Sequence, residues 1–148
     1  MLTATHQWLV CMNFKRGRHS VYLLTVHLVF VTKRRGKVFE GRHLEFLEPV
    51  FASVLTDFES ELIEFNGECD HVHLLVSYPP KWSISALVNS LKGVSSRRLK
   101  QAFPDVETFW SVAKSKNALW SPSYFASSTG GAPIETLKKY IENQNRPA

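Results

Sequence analysis

The order of strand-like and helix-like segments constrains the fold of this chain more than any other feature of its sequence. Runs rich in β-branched and aromatic residues predict strands at residues 21–32, 61–69, 71–78 and 119–127. Apolar residues at helical spacing predict helices at 43–58 and 84–102, with a last helix at about 133–145. This order predicts an α+β fold of the ferredoxin-like, RRM-like split βαβ type, with an antiparallel sheet, two helices on one face and a further C-terminal helix.

Three turn-forming positions leave local alternatives open within this order. Pro49 is expected to lie in the first turn of its helix or to kink it. Asn66-Gly67 fits either a hairpin turn or a bulge inside the second strand. Pro122 makes the fourth strand an edge strand or one with a bulged pairing.

The length of 148 residues fits one domain with a substantial core. We expect an N-terminal arm at 1–19 and a single domain at 20–146. No run of ~18 apolar residues indicates a membrane helix, and no signal peptide is evident. The two cysteines form neither a disulfide framework nor a CxxC pair, so we expect a cytoplasmic protein in a reducing environment.

Charge is segregated along the chain, whose net charge is +5. Residues 1–37 carry seven Lys/Arg and no acid, and residues 81–100 carry five Lys/Arg and no acid. Between them, residues 40–70 carry nine acids and one arginine. Such segregation predicts one basic face, for which nucleic acid is the usual partner and a solvated surface the alternative.

Two histidines interrupt the apolar third strand. In a strand, alternate side chains share a face, so Val72, Leu74 and Val76 point towards the helix-covered core. His71 and His73 then point to the opposite face, where they could converge on one metal ion. The alternative is that they are packed side chains without a ligand.

The predicted last helix offers partners for this pair. Tyr140 and Gln144 lie four residues apart on one face, in a stripe that could equally be a packing surface. If the helix lies on the uncovered face of the sheet, these two side chains meet the histidines. A phenolate can attack phosphorus and form a covalent phosphotyrosine, while a divalent cation polarises the phosphate.

The segments "DHVHLLV", "LWSPSYF" and "IETLKKYIENQ", in this order, resemble the single-tyrosine HUH transposases (TnpA type) of the insertion sequence 200/605 family. The resemblance covers roughly residues 20–146. It implies that His71 and His73 are the metal-binding pair, Tyr140 the nucleophile and Gln144 the third ligand. It further implies a metal-dependent endonuclease and strand transferase that cuts and rejoins single-stranded DNA through a 5′-phosphotyrosine.

The resemblance also implies partners and a cofactor. It implies recognition of subterminal DNA hairpins, a homodimer whose subunits share active sites, Mg²⁺ or Mn²⁺, and no nucleotide cofactor. Imidazole ligands alone would favour Zn²⁺ or Mn²⁺. Gly130-Gly131 forms a joint with little conformational preference, which suits a tyrosine helix that moves between subunits.

Basic residues outside the histidine site are candidates for contacts with DNA phosphates, although each could equally be a solubilising charge. They are Lys33, Arg34, Arg35, Lys92, Arg97, Arg98 and Lys100. His27, inside the first strand, is interpreted as structural. Two other functions stay open: a domesticated HUH endonuclease that processes genomic hairpins, and a non-catalytic nucleic-acid-binding module.

Overall fold

The computed structural model describes residues 14–106, 119–128 and 139–143. The strands are β1 (Lys15–Arg16), β2 (Val21–Tyr22), β3 (Thr25–Val31), β4 (Glu61–Gly67), β5 (His71–Ser77) and β6 (Phe125–Ser128). The helices are α1 (Gly41–Asp57) and α2 (Ile84–Ala102), and residues 139–142 are also helical. The predictions for Gly130-Gly131, Gln144 and most of the last helix fall outside the described residues.

Four strands form the main sheet in the order β4-β5-β3-β6, and each neighbouring pair is antiparallel. The strand that precedes α1 and the strand that follows it are separated by β5, as in a split βαβ unit. The predicted fold class is therefore confirmed. Strand β6 lies at one edge, which is one of the two alternatives for the predicted strand at 119–127; Pro122 lies before β6, in a segment that adds a single bridge from Trp120 to Thr32.

Both helices cover the same face of the sheet. Val72, Leu74 and Val76 of β5 are fully buried in the core cluster, as strand alternation predicts. The cluster includes apolar side chains of α1 and α2, among them Phe51 and Leu91. We call this side of the sheet the core face. Neither helix in 41–102 has the length and apolar character needed to cross a bilayer.

The predicted strand at 21–32 is two strands in the structure. Val21–Tyr22 pairs with Lys15–Arg16 in a small separate hairpin, closed by a hydrogen bond from the Gly17 N–H to the Ser20 carbonyl. The chain joins the main sheet only at Thr25. Lys15 and Arg16 of the expected arm at 1–19 therefore pair with the start of the predicted domain.

Two local predictions also need correction. The bulge of β4 lies at Ile63, between Leu62 and Glu64, while Asn66 and Gly67 pair with β5 in regular register. The turn follows them, closed by the Glu68 N–H donating to the His71 carbonyl. Pro49 is inside α1, at an exposed position, so the first-turn alternative is wrong and the kink alternative stays a prediction.

Gly67 holds the turn against α1. A Cβ atom at this position would lie 2.7 Å from Leu44 Cδ2 and 3.2 Å from the His71 carbonyl oxygen. A larger residue would require the Leu44 side chain to move and would crowd the His71 carbonyl. The close approach fixes the start of β5, where His71 lies.

Candidate metal centre and tyrosine face

The face of the sheet opposite the helices carries both predicted histidines. Strand pairing sets Val31 opposite His71, Val29 opposite His73 and His27 opposite Leu75. Residues opposite each other in antiparallel strands point to the same side. We call this side the histidine face, and it carries three imidazoles because His27 shares it.

Asp70 orients the His71 ring. The Nδ1–H of His71 donates to Asp70 Oδ1 at 2.8 Å, and Arg35 Nε donates to Asp70 Oδ2 at 3.2 Å. Burial acts to raise the pKa of Asp70, but the hydrogen bonds from His71 and Arg35 outweigh it and the pKa lies below its ordinary value. The hydrogen bond to Asp70 uses His71 Nδ1, so in the neutral imidazole the lone pair that can ligate a metal is on Nε2.

His73 contacts the third imidazole. Its Nε2 lies 2.8 Å from His27 Nδ1, and the two rings are nearly parallel, with centroids 5.0 Å apart and planes 12° apart. Burial lowers the pKa of His73, and the nearby His27 lowers it further. Its ring is therefore neutral near pH 7, as metal ligation requires.

Tyr140 lies on the same side of the sheet. Its ring packs against Phe125 at a centroid distance of 5.4 Å, and Phe125 pairs with Val29, so it belongs to the histidine face. The Tyr140 hydroxyl lies 3.0 Å from Ser123 Oγ. Burial raises the pKa of Tyr140, against an opposing effect of Ser123, so the phenol is protonated near neutral pH.

The described contacts of Tyr140 are at the β6 edge, whereas the histidine pair is on β5. Val29 of the central strand separates Phe125 from His73 in one cross-strand row. Two strand spacings correspond to about 10 Å. The structure thus brings Tyr140 to the predicted face but holds it beside Phe125, and Gln144 lies beyond the described residues.

Lys92 fixes the segment that holds Tyr140. From α2, its Nζ donates to the carbonyl oxygens of Ser121 at 2.6 Å and Ser123 at 2.9 Å. It also lies over the rings of Phe30 and Tyr124. Burial lowers the pKa of Lys92 to about 8. This ammonium group is occupied by the protein, so we leave Lys92 out of the expected DNA contacts.

The other basic candidates occupy two places. Lys33, Arg34 and Arg35 form a short 3-10 turn directly after β3, with Arg34 and Arg35 at positive φ. Of these, Arg35 is paired with Asp70 and so supports the histidine site. On α2, Arg97 is exposed and lines a surface groove with Lys100, and Arg98 beside it is exposed too.

A second possible metal cluster lies at the turn before β5. Glu68, Asp70 and His71 have ligand atoms within 4.8 Å of one another. However, both Asp70 oxygens already accept hydrogen bonds, from His71 and Arg35. His71 belongs both to this cluster and to the predicted His71–His73 pair, so the two alternatives make different predictions for Glu68 and His73.

Sequence reasoning missed two residues of this face. His27 was interpreted as structural, although its position in the strand register puts it diagonal to His73. Ser123 carried no functional prediction, although its segment "LWSPSYF" was singled out. The register of β3 against β5, which neither strand encodes by itself, brings His27 to His73, so the sequence carried no local signal for this contact.

The sheet has the ferredoxin-like arrangement, and its histidine face carries two neighbouring histidines of β5 and, at the β6 edge, a tyrosine. A family model described as "Transposase IS200 like" matches residues 20–144. The chain therefore belongs to the IS200-like transposase family, as the sequence resemblance predicted. Membership implies an enzyme that cuts and joins DNA.

Similar proteins agree with this family. The ISDra2 transposase TnpA of Deinococcus radiodurans is 33% identical over 135 residues, which are 90% of this chain and 93% of that protein. The transposase for insertion sequence element IS200 of Salmonella typhimurium is 28% identical over 127 residues, 85% of this chain and 80% of that protein.

Two solved structures share the fold. A crystal structure of a candidate transposase from Deinococcus radiodurans R1 superposes with a TM-score of 0.80 at 33% identity, covering 90% of this chain and 99% of that chain. A REP-associated tyrosine transposase bound to a REP hairpin gives a TM-score of 0.52 at 12% identity, covering 86% of this chain and 68% of that chain. The second likeness concerns the fold alone.

Proposed function

We propose that this transposase cleaves and rejoins single-stranded DNA at the ends of an insertion sequence, with Tyr140 as nucleophile. The observation that carries the proposal is the shared face: His71, His73 and Tyr140, whose ring contacts Phe125, all belong to the side of the sheet opposite α1 and α2. A phenol and two imidazoles on one face of the sheet suit a phosphodiester substrate.

The histidine residues fit a divalent metal ion. Asp70 fixes the tautomer of His71, and burial keeps His73 neutral, so each ring can offer a lone pair. The ligand set we propose is His71, His73 and Gln144, with Mn²⁺ or Mg²⁺ as the ion; two imidazoles favour Mn²⁺ of the two. When bound, the ion would polarise the scissile phosphate and neutralise charge on its oxygens.

The chemical step belongs to Tyr140. Its phenolic oxygen loses its proton and forms a bond to phosphorus, while the bond from phosphorus to the 3′ oxygen breaks. The 3′ oxygen leaves with the electron pair and takes up a proton. The 5′-phosphotyrosine keeps the energy of the broken bond, so that a 3′ hydroxyl can reverse the step without a nucleotide cofactor.

Tyr140 must leave its docked position for this step. Beside Phe125 the phenol has a raised pKa and lies about two strand spacings from β5. A tyrosine helix that crosses to the histidines of a second subunit, or moves within its own, would bring the reacting groups together. The expected homodimer with shared sites would satisfy this requirement, and so would movement inside one subunit.

The DNA contacts that we propose are phosphate contacts from cations that are exposed or half-buried at the surface. Arg97, Arg98 and Lys100 of α2 and Lys33 and Arg34 after β3 are the candidates, and they would grip hairpins near the element ends. Such contacts supply affinity and salt dependence but do not read sequence.

The proposal is tested by a covalent adduct. The protein is incubated with Mn²⁺ or Mg²⁺ and single-stranded DNA from the ends of its element, and adducts are resolved on a denaturing gel. We expect an adduct that Tyr140→Phe abolishes and Tyr124→Phe, a neighbouring tyrosine with the same chemical change, retains. An adduct that survives Tyr140→Phe would contradict the assignment, and no adduct in wild type would favour a non-catalytic module.

Sharing of sites is tested by mixing subunits. In a heterodimer of His71→Ala and Tyr140→Phe chains, sites shared between subunits leave one site intact, so about half of the wild-type adduct forms. If each site is confined to one subunit, the heterodimer has no intact site and forms no adduct. Complete loss of adduct in purified heterodimers would therefore exclude sharing.

A further inference from the structure

His73 is a proposed metal ligand, but His27, which contacts it, has no assigned function in the reaction outlined above. The two side chains come from residues 46 positions apart, and their ring nitrogens lie 2.8 Å apart, within hydrogen-bonding range. The rings are also nearly parallel, with 12° between their planes. Contact of this kind fixes both the rotation and the tautomer of His73.

The strand register explains why the contact forms. His27 pairs with Leu75, and His73 pairs with Val29, so the two histidines are diagonal neighbours on adjacent strands. Diagonal neighbours lie within reach of ring-sized side chains. His27 lies on β3, between β5 and β6, where it pairs with Ser127. It is half-buried, which restricts the orientation of its ring.

The tautomer of His73 can be inferred because a metal ligand needs a free lone pair on one ring nitrogen. One proton lies between His27 Nδ1 and His73 Nε2. If His27 donated it, the lone pair at His73 Nε2 would be occupied and the His73 proton would be at Nδ1, leaving that ring no free lone pair. If His73 donates it, the lone pair at His73 Nδ1 is free for a metal.

We propose that His27 is a positioning residue: its Nδ1 accepts a hydrogen bond from His73 Nε2–H and so holds His73 as a metal ligand through Nδ1. Asp70 does the same for His71 from the other ring nitrogen. Each ligand of the proposed pair would then have its own orienting partner, a carboxylate for His71 and an imidazole for His73. The inference rests on the proposed metal site.

Metal affinity measured without DNA tests this role. Mn²⁺ binding is followed for wild type, His27→Leu, His27→Asn and His19→Leu. We expect His27→Leu to lose about 10- to 100-fold in affinity, as outer partners of ligands commonly do. His27→Asn keeps an acceptor oxygen close to the Nδ1 position and should stay within about threefold of wild type. His19→Leu makes the matched change at an exposed histidine and should have no effect.

A spectroscopic readout separates positioning from general damage to the fold. In the metal-free protein, ¹⁵N resonances of the His73 ring, assigned by their loss in His73→Asn, should show a protonated Nε2 and an unprotonated Nδ1. Diamagnetic Zn²⁺ should shift His73 Nδ1 and leave the His27 nitrogens unligated. Far-ultraviolet circular dichroism establishes that His27→Leu is folded.

Several results would overturn the inference. Equal or tighter Mn²⁺ binding by folded His27→Leu would show that His27 does not help His73, and so would a protonated Nδ1 on His73. Direct ligation of Zn²⁺ by His27 would make it a ligand and not a positioning residue. If wild type itself bound no Mn²⁺, the proposed metal site would be wrong and this inference with it, whereas the other results leave the proposed function standing.

Discussion

The hydroxyl oxygen of Ser123 lies 3.0 Å from the phenolic oxygen of Tyr140, although 17 residues separate them in sequence. Phe125 contacts the same tyrosine ring from the start of β6. The carbonyl group of Ser123 in turn accepts a hydrogen bond from Lys92 of α2. The docked position of the proposed nucleophile is therefore connected to the helical layer on the other side of the sheet.

Removal of the Ser123 hydroxyl should change the titration of Tyr140. Burial raises the pKa of Tyr140 and Ser123 lowers it, so in Ser123→Ala the phenol should ionise at higher pH than in wild type. The difference in phenolate absorbance between each protein and its Tyr140→Phe counterpart isolates this one group. Ser128→Ala is the control, and a Tyr140 titration unchanged by Ser123→Ala would contradict the contact.

Replacement of Lys92 should loosen the segment at 121–124. Lys92→Met removes two hydrogen bonds from a cation, and we expect the free energy of unfolding to fall by about 1 to 2 kcal/mol near pH 7. Lys37→Met, at an exposed position, should change it by less than about 0.5 kcal/mol. Denaturant unfolding measures both, and equal values for the two variants would refute the structural role of Lys92.

The destabilisation caused by Lys92→Met should change with pH in a defined direction. The folded-state pKa of Lys92 is about 8, below the ordinary value of 10.5, so between these values the unfolded chain binds more protons. Across that window the contribution of Lys92 to the free energy of unfolding of the wild type therefore rises with pH. Methionine does not ionise and makes no such contribution. Lys92→Met should be more destabilising at about pH 9 than at about pH 7. A smaller effect at the higher pH would contradict the lowered pKa.

The periodicity of apolar residues predicted those structural features that depend on a single segment of the chain. Alternation along β5 separated Val72 and Leu74 from the histidines, and the structure buries those valine and leucine side chains completely. Helical spacing likewise predicted α2 from Ile84 to Ala102. These features follow from local backbone geometry, which a single stretch of sequence encodes.

Contacts between distant segments could not be predicted in this way. His27 is one polar residue in an apolar strand, and only the register of β3 against β5 brings it to His73. Lys92 lies on the polar side of its helix, yet the chain that returns at Ser121 covers it. In both cases the functional surroundings come from strand pairing or chain crossing, for which the sequence has no local signal.

Mn²⁺ affinities of single variants should distinguish between the two candidate sets of metal ligands. If the ion binds at His71 and His73, Glu68→Gln should leave Mn²⁺ affinity within about twofold of wild type, while His73→Ala should lower it by 10-fold or more. If the ion binds at the Glu68, Asp70 and His71 cluster, the order reverses. Calorimetric titration with Mn²⁺ in the absence of DNA measures both variants, and Gln144→Ala should follow His73→Ala.

The exposed arginines of α2 should make the binding of hairpin DNA depend on salt. Each phosphate contact contributes about 0.7 to 0.9 to the slope of log affinity against log salt, so Arg97→Gln/Arg98→Gln should reduce that slope by about 1.5. The matched control is Arg42→Gln/Lys81→Gln, which removes two exposed cations that are already paired with acids. Fluorescence anisotropy over a range of salt concentrations gives the slopes. If both double variants lowered the slope equally, net charge alone would explain binding and α2 would have no specific role.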